Sequence, residues 1–334
     1  MRAVLHIGMP KTGTSSIQDF CGENQDALLQ EGVLFARTGR IIGGRDKRRH
    51  MGFSFACHPI EAAPTNIMRN YGLKRALVRR SYAKRFWRRL DSELARQNDV
   101  QTVVLSEEGL FQTDHPSLIA EAHDKLRPRF TQVHVFCMLR EPYALLSSSY
   151  VQAVKIGTGE TWEVYRDRML DAGVFSPVLQ QWRDVFGPEQ MKVRVLQKDA
   201  LEPFADVVGF KLPYTSARTS NVSMSAIGVE QLRALNAAYQ KAGKKRPKAV
   251  RKAFGRHMKG PSWRAPASDA ALIYDRLKPE IAQLGASGLL TSADQEYVAA
   301  RWTPEKAVEK RSPNADIYAD GAEGMTALLK SLFR

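Results

Sequence analysis

The chain has 334 residues, 43% of them hydrophobic, which is enough to bury a full α/β core. Lys+Arg 50 against Asp+Glu 35 gives a formal charge of +15, which points to anionic ligands without naming them. Three cysteines, Cys21, Cys57 and Cys137, cannot all pair and fit a reducing compartment; no Cys/His cluster has metal-ligand spacing, so no structural zinc is expected.

The first element is a short apolar strand over Ala3–Ile7, running from Met1 with no apolar signal core. It leads into His6-Ile-Gly-Met-Pro-Lys-Thr-Gly-Thr-Ser-Ser16, after which Ile17, Phe20 and Leu28 recur at helical spacing. A loop that joins a strand to a helix N-terminus offers unpaired N–H groups and the positive end of the helix dipole, and Gly8 and Gly13 let the backbone approach an anion closely. The separation of Gly8 and Gly13 is that of the nucleotide-triphosphatase P-loop, but the position after the second glycine is Thr14 and the lysine is Lys11. That displacement argues against ATP.

A second strand is read at Gly32–Ala36, followed by a poorly patterned basic stretch, Arg37–Arg69. In Lys74–Arg89 the apolar Tyr82 and Phe86, continued by Leu90 and Leu94, recur every four residues, so most of these charges lie on the wet side of an amphipathic helix. Tyr82 and Trp87 could be read as a base-stacking platform, but helical periodicity explains Tyr82 better, which makes nucleic acid an unlikely partner. Thr102–Ser106 reads as a strand delivering Glu107 and Glu108 to the carboxyl edge of the sheet, where ligands of open α/β sheets bind. His50, His58 and His115 fall in loops with no motif around them, and His6 and His134 lie on strands as core residues.

Val133–Leu139 is a nearly continuous apolar run, as a buried parallel strand should be, and ends in Arg140-Glu-Pro-Tyr-Ala-Leu-Leu-Ser-Ser-Ser-Tyr150. Pro142 starts the next helix, and Ser148 falls near the face of Tyr143 and Ala144, so Arg140 and Ser148 form a second candidate anion site. A last strand, Met191–Leu196, precedes a helix over Pro203–Gly209 and the segment Thr219–Ser225, where Asn221 and Ser223 are placed to cap a helix and Arg218 is a weaker nucleotide contact. From about Ser223 the pattern is helical only, and Lys241–Arg264, rich in Lys, Arg, Gly and Pro, reads equally as a lid or docking loop and as an ordinary solvated loop. No uninterrupted apolar run is long enough to span a bilayer, so a soluble, cytoplasmic protein is expected.

Two stretches, 6–16 and 140–150, resemble the nucleotide-binding elements of the sulfotransferases that use 3′-phosphoadenosine 5′-phosphosulfate (PAPS). The resemblance implies an α/β fold with a central parallel sheet flanked by helices, with residues 1–222 as core and 223–334 as a helical extension of one domain. It also implies that Lys11, Thr12, Gly13, Thr14, Ser15 and Ser16 hold the 5′-phosphosulfate, with Lys11 at the bridging oxygen, and that Arg140 and Ser148 hold the 3′-phosphate. Ser-Glu-Glu-Gly-Leu-Phe resembles a segment of bacterial members whose glutamate aligns with Glu108, making Glu108 the base and Glu107 the reserve. The implied reaction sulfates a hydroxyl or amine of a carbohydrate or other metabolite, and the positive charge favours an acidic saccharide; it requires no metal. Two other readings are an ATP-using kinase with a deviant P-loop and a non-catalytic anion or nucleic-acid binder. The kinase reading lacks a lysine after Gly13 and an aspartate at the end of either central strand for magnesium. The acceptor and the oligomeric state are not written in the sequence.

Overall fold

A computed structural model describes residues 1–111, 115–211, 224–247, 250 and 261–309. They form two compact units, one from Met1–Arg140, Phe175–Arg218 and Gln283–Gln295 and one from Glu141–Val174, Thr219–Ala282 and Glu296–Arg334.

The first unit is built on a five-stranded parallel sheet: β1 (Arg2–His6), β2 (Val33–Phe35), β5 (Thr102–Ser106), β6 (Val133–Leu139) and β7 (Met191–Val195), in the order β2-β5-β1-β6-β7. These are the five strands read in the sequence, with ends moved by a residue or less. The inner strands β1, β5 and β6 are apolar almost throughout because helices cover both faces. Edge strand β7 alternates instead, with Lys192 and Arg194 half-buried between Met191, Val193 and Val195. Charges on an edge also discourage pairing with another chain.

On one face α1 (Thr14–Glu23) and α10 (Leu201–Val208) pack over β1 and β6. Val4, Ile17, Phe20, Phe136 and Phe204 form one core there, and burying a side chain such as Phe204 contributes roughly 1.5–3 kcal/mol. Elsewhere α3 (Met51–Cys57) packs on both α5 (Ala76–Leu94) and α6 (Pro116–Leu126), and α6 packs on α9 (Ser176–Phe186). α5 buries Phe86, Trp87, Leu90 and Leu94 as its periodicity requires. The stretch Arg37–Arg69 contains more structure than its sequence suggests: a hairpin of β3 (Ile41–Ile42) and β4 (Arg45–Asp46), then α3 and the short α4 (Asn66–Asn70). Met51, Phe55, Met68 and Leu73 close a small separate core beneath it.

Connections lead from β1 toward β2 and β5 on one side and onward to β6 and β7 on the other. The carboxyl ends of β1 and β6 are therefore a topological switch point, where the following segments diverge and leave a crevice.

The second unit is helical. α7 (Pro142–Ile156) starts at Pro142 as read, and Glu141 caps it by accepting from the Tyr143 and Ala144 amides at 2.7 and 2.9 Å. It packs with α8 (Trp162–Asp171) and α11 (Ala226–Lys241). Tyr150, Trp162, Tyr165 and Trp263 form an aromatic cluster, with Trp162 Nε1 donating to Asp269 at 2.5 Å. The cap of α11 is Ser225, whose hydroxyl accepts from the Gly228 amide at 3.2 Å; the sequence placed this cap at Asn221 and Ser223, which lie outside the described residues with Arg218. Half of Lys241–Arg264, residues 248–249 and 251–260, is likewise outside them. No helix among the described residues is long and apolar enough to cross a membrane.

Candidate active site

The loop after β1 is shaped by three left-handed residues, Gly8 (φ 56), Lys11 (φ 69) and Gly13 (φ 84). The two glycines are required twice over. A Cβ on Gly8 would lie 3.0 Å from Thr14 Oγ1 and 3.2 Å from the Glu108 Cα, and one on Gly13 would lie 2.5 Å from the Ala200 Cβ. Gly8 thus brings the loop backbone directly against the residues that leave β5. Lys11 has a Cβ and still occupies the left-handed region, a strain of the kind found where a site fixes its backbone for a ligand.

Two of the loop hydroxyls turn inward. Thr12, fully buried, donates to the Met9 carbonyl at 2.6 Å, and Thr14 Oγ1 donates to the same oxygen at 3.4 Å. These side chains brace the loop. Gly13 is the N-cap of α1 and provides no side-chain cap, while Ser15 is exposed and Ser16 half-buried. The positive end of α1 is left for a ligand.

Arg140, the residue after β6, donates from Nη1 to the Lys11 carbonyl at 2.8 Å. It fastens the loop at its strained residue and places a guanidinium at the same sheet edge. Ser148 lies on α7 in the second unit, where its hydroxyl donates to the Leu145 carbonyl at 3.0 Å.

At the end of β5 the two glutamates take different positions. Glu107 is buried, caps the 3-10 turn Glu108–Leu110 by accepting from the Gly109 amide at 3.2 Å, and keeps Oε2 without a hydrogen-bond partner among the described residues. Burial raises its carboxyl from 4.5 to about 7, against a smaller opposing pull from Arg49. Glu108 is 39% exposed and accepts from Arg49 Nη1 at 3.2 Å; the same nitrogen is 3.8 Å from Glu107 Oε1. Arg49 is the site residue that sequence reading missed, visible there only as one charge in the Arg45–Arg49 cluster.

The strand ends are locked by histidines that cannot serve as bases. His50 Nδ1 accepts from the Ser106 amide at 2.9 Å, and Nε2 is 2.8 Å from the Ala36 carbonyl, which fixes the neutral tautomer. His6 Nδ1 meets the Ser106 hydroxyl at 2.9 Å, and Gln18 donates to that hydroxyl at 3.1 Å. Burial holds both rings down at about 3. His6 and His134 are core residues as read, but each retains one buried ring nitrogen with no partner among the described residues. His58 and His115 pack edge to face, 5.3 Å between centroids. Cys21, Cys57 and Cys137 are buried free thiols, and burial raises all three. No group of His, Cys, Asp and Glu among the described residues could hold a metal ion.

The first unit therefore brings Lys11, the Gly13–Ser16 helix start, Glu107, Glu108 and Arg140 to one edge of one sheet. Such an edge can bind an oxyanion, supply positive charge to a leaving oxygen and offer a carboxylate to a proton.

No protein-family model matches the chain, and no curated protein matches it. Among solved structures it is similar to the crystal structure of a sulfotransferase from Alicyclobacillus acidocaldarius, at 14% identity over 88% of this chain and 98% of that one, with a TM-score of 0.40.

Proposed function

We propose that the protein is a PAPS-dependent sulfotransferase acting on a hydroxyl or amine of a carbohydrate or other metabolite. The observation that carries this reading is the loop itself: Lys11 held in a left-handed conformation between a central parallel strand and a helix start with no side-chain cap. An oxyanion seated there would be surrounded by backbone N–H groups, with the lysine beside its terminal group.

In this reading an acceptor oxygen attacks sulfur in line, the acceptor O–S bond forms, and the bond from sulfur to the 5′-phosphate oxygen breaks. Lys11 stabilises the charge that builds on that leaving oxygen. The acceptor proton passes to a carboxylate, and adenosine 3′,5′-bisphosphate leaves. Glu108 is assigned the base because an acceptor can reach it; Glu107 has the better-matched basicity but is enclosed. Arg140 is assigned the 3′-phosphate, with Ser148 supported by sequence spacing alone. A charge-assisted contact from Arg140 is worth roughly 1.5–3 kcal/mol. The excess of basic residues favours an acidic saccharide as acceptor.

Thermal unfolding with adenosine 3′,5′-bisphosphate and, in parallel, ADP tests the nucleotide. A ligand at 100 times its dissociation constant adds about 2.7 kcal/mol, a shift of a few degrees at most for a chain of this size. A shift with the bisphosphate alone supports the reading. A larger shift with ADP would replace it with an ATP-using kinase, and no shift with either with a non-nucleotide anion binder.

A further inference from the structure

The outer face of α5 plays no part in this chemistry, and it carries a dense positive charge. At the helical repeat Leu77, Ser81, Lys84, Arg85 and Arg88 share the face opposite the buried Phe86 and Leu90, and Arg80 and Arg89 flank it. All seven are exposed. Among the described residues none of these five cations has a carboxylate within ion-pairing distance. The acids of the same helix are committed elsewhere: Asp91 to Arg129 at 2.6 Å, and Glu93 to the Arg37 and Thr38 amides at 2.6 and 2.9 Å. Arg79, on the inner side of α5, is instead held within the fold, donating from its terminal nitrogens to the carbonyls of Pro59, Ile60 and Ala62.

The second feature is apolar. At the head of this face Leu77 is 76% exposed and its neighbour Val78 38%. Large aliphatic side chains in water beside unpaired cations fit a partner that is anionic at its surface and hydrocarbon beneath. A single-stranded nucleic acid would instead call for exposed aromatic platforms, and here Phe86 and Trp87 are buried and Tyr82 is half-buried.

We propose that this face docks the protein on an anionic lipid surface. Lys84, Arg85 and Arg88, with Arg80 and Arg89 beside them, lie over the acidic headgroups, and Leu77 and Val78 enter the boundary between headgroups and acyl chains. A helix lying in the interface plane needs these two components, a cationic face and a short apolar insertion, and no membrane span.

The test is co-sedimentation of the full chain with vesicles of phosphatidylcholine alone and with vesicles containing 30% phosphatidylserine. Partition onto the acidic vesicles only is the expected result. Each cation near such a surface contributes about fivefold, so K84Q/R85Q/R88Q should lower the partition coefficient by roughly two orders of magnitude. L77S/V78S should lower it several-fold. The shift in unfolding temperature given by adenosine 3′,5′-bisphosphate should be the same in these variants as in the unaltered protein, which shows them folded and keeps this test separate from that of the nucleotide site. Equal partition onto both vesicle types, no partition, or acidic-vesicle binding indifferent to Leu77 and Val78 would overturn the proposal. So would binding of a 20-nucleotide RNA or DNA that needs Lys84, Arg85 and Arg88 while the vesicles are left unbound.

Discussion

Replacing Lys11 separates the cost of the loop's geometry from its use. At φ 69 a residue with a Cβ is strained by roughly 1–2 kcal/mol, and glycine would escape that strain. Glycine also gains freedom in the unfolded chain, which gives back about 0.5–1 kcal/mol. Lys11→Gly should therefore be between neutral and about 1.5 kcal/mol more stable than the unaltered protein, whereas Lys11→Ala, still strained, should stay within about 0.5 kcal/mol of it. Both variants lose the ammonium that the proposed function assigns to the leaving oxygen. Removing one preorganised donor from such a site costs about 10²–10³ in kcat, and the loss of a full charge should reach at least the upper end. Urea unfolding followed by circular dichroism reads the first quantity, and release of adenosine 3′,5′-bisphosphate from PAPS reads the second. A glycine variant as stable as its parent and nearly inactive is the signature of strain retained for function. Wild-type turnover in either variant would remove Lys11 from its role, and a Lys11→Gly variant destabilised by 2 kcal/mol or more would mean that no left-handed strain exists at this position.

Arg140→Ala should weaken adenosine 3′,5′-bisphosphate binding roughly 10- to 100-fold by calorimetry, the equivalent of one charge-assisted contact, with little change in the melting temperature of the free protein; unchanged affinity would show the second anion site to be misassigned. Glu108→Gln should depress kcat by about 10²–10⁴ at constant nucleotide affinity, and a fully active variant would pass the base role to another group. Glu107, with its folded-state carboxyl raised to about 7 above an unfolded value of 4.5, binds more protons in the folded than in the unfolded chain between those values. Stability from this group is therefore complete below about pH 4.5 and falls as pH rises through 7, by about 3 kcal/mol in all. Subtracting the pH–stability curve of Glu107→Gln should isolate that fall from the opposite trend set by His6 and His50, whose rings, lowered to about 3, charge only when the chain unfolds at acid pH; a flat difference from pH 4.5 to 7 would place Glu107 in contact with water.

The five parallel strands, the loop and the helix after Pro142 were legible because each is a local signal: a run of apolar residues, a glycine pair, a proline at a helix start. The amphipathic α5 was legible for the same reason. Two things were not. The inward turn of Thr12 and Thr14 depends on a carbonyl, that of Met9, made available only by the left-handed turns around it, and hydroxyls in sequence look alike whether they face a ligand or their own loop. The contrast between Glu107 and Glu108 depends on the 3-10 turn that folds one carboxylate inward over Gly109 and leaves the other beside Arg49, a residue 58 and 59 positions earlier whose approach no spacing rule encodes. Hairpin β3–β4 and helix α3 were missed because Arg37–Arg69 mixes short elements whose apolar residues, Ile42, Met51, Phe55 and Met68, meet only in three dimensions.

Where the positive charge is spent distinguishes its two uses. Arg40 is buried under a ring, donating to the Ala36 carbonyl and paired with Asp46; Arg48 pairs with Asp19 and Glu23; Arg49 pairs with Glu108. These guanidiniums organise the chain around the loop site, and their fields are largely cancelled by the acids they hold. The cations on the outside of α5 organise nothing in the fold, since their side chains leave the helix away from its packed face. Charge left uncancelled on a surface destabilises the compact state slightly through repulsion, so its presence there calls for a partner that supplies the missing acid. A small nucleotide at the sheet edge cannot be that partner, because it would be held by Lys11 and Arg140. The surplus on α5 is therefore better explained by an extended anionic surface than by the co-substrate, and neutralising it should alter where the protein resides without altering the nucleotide it binds.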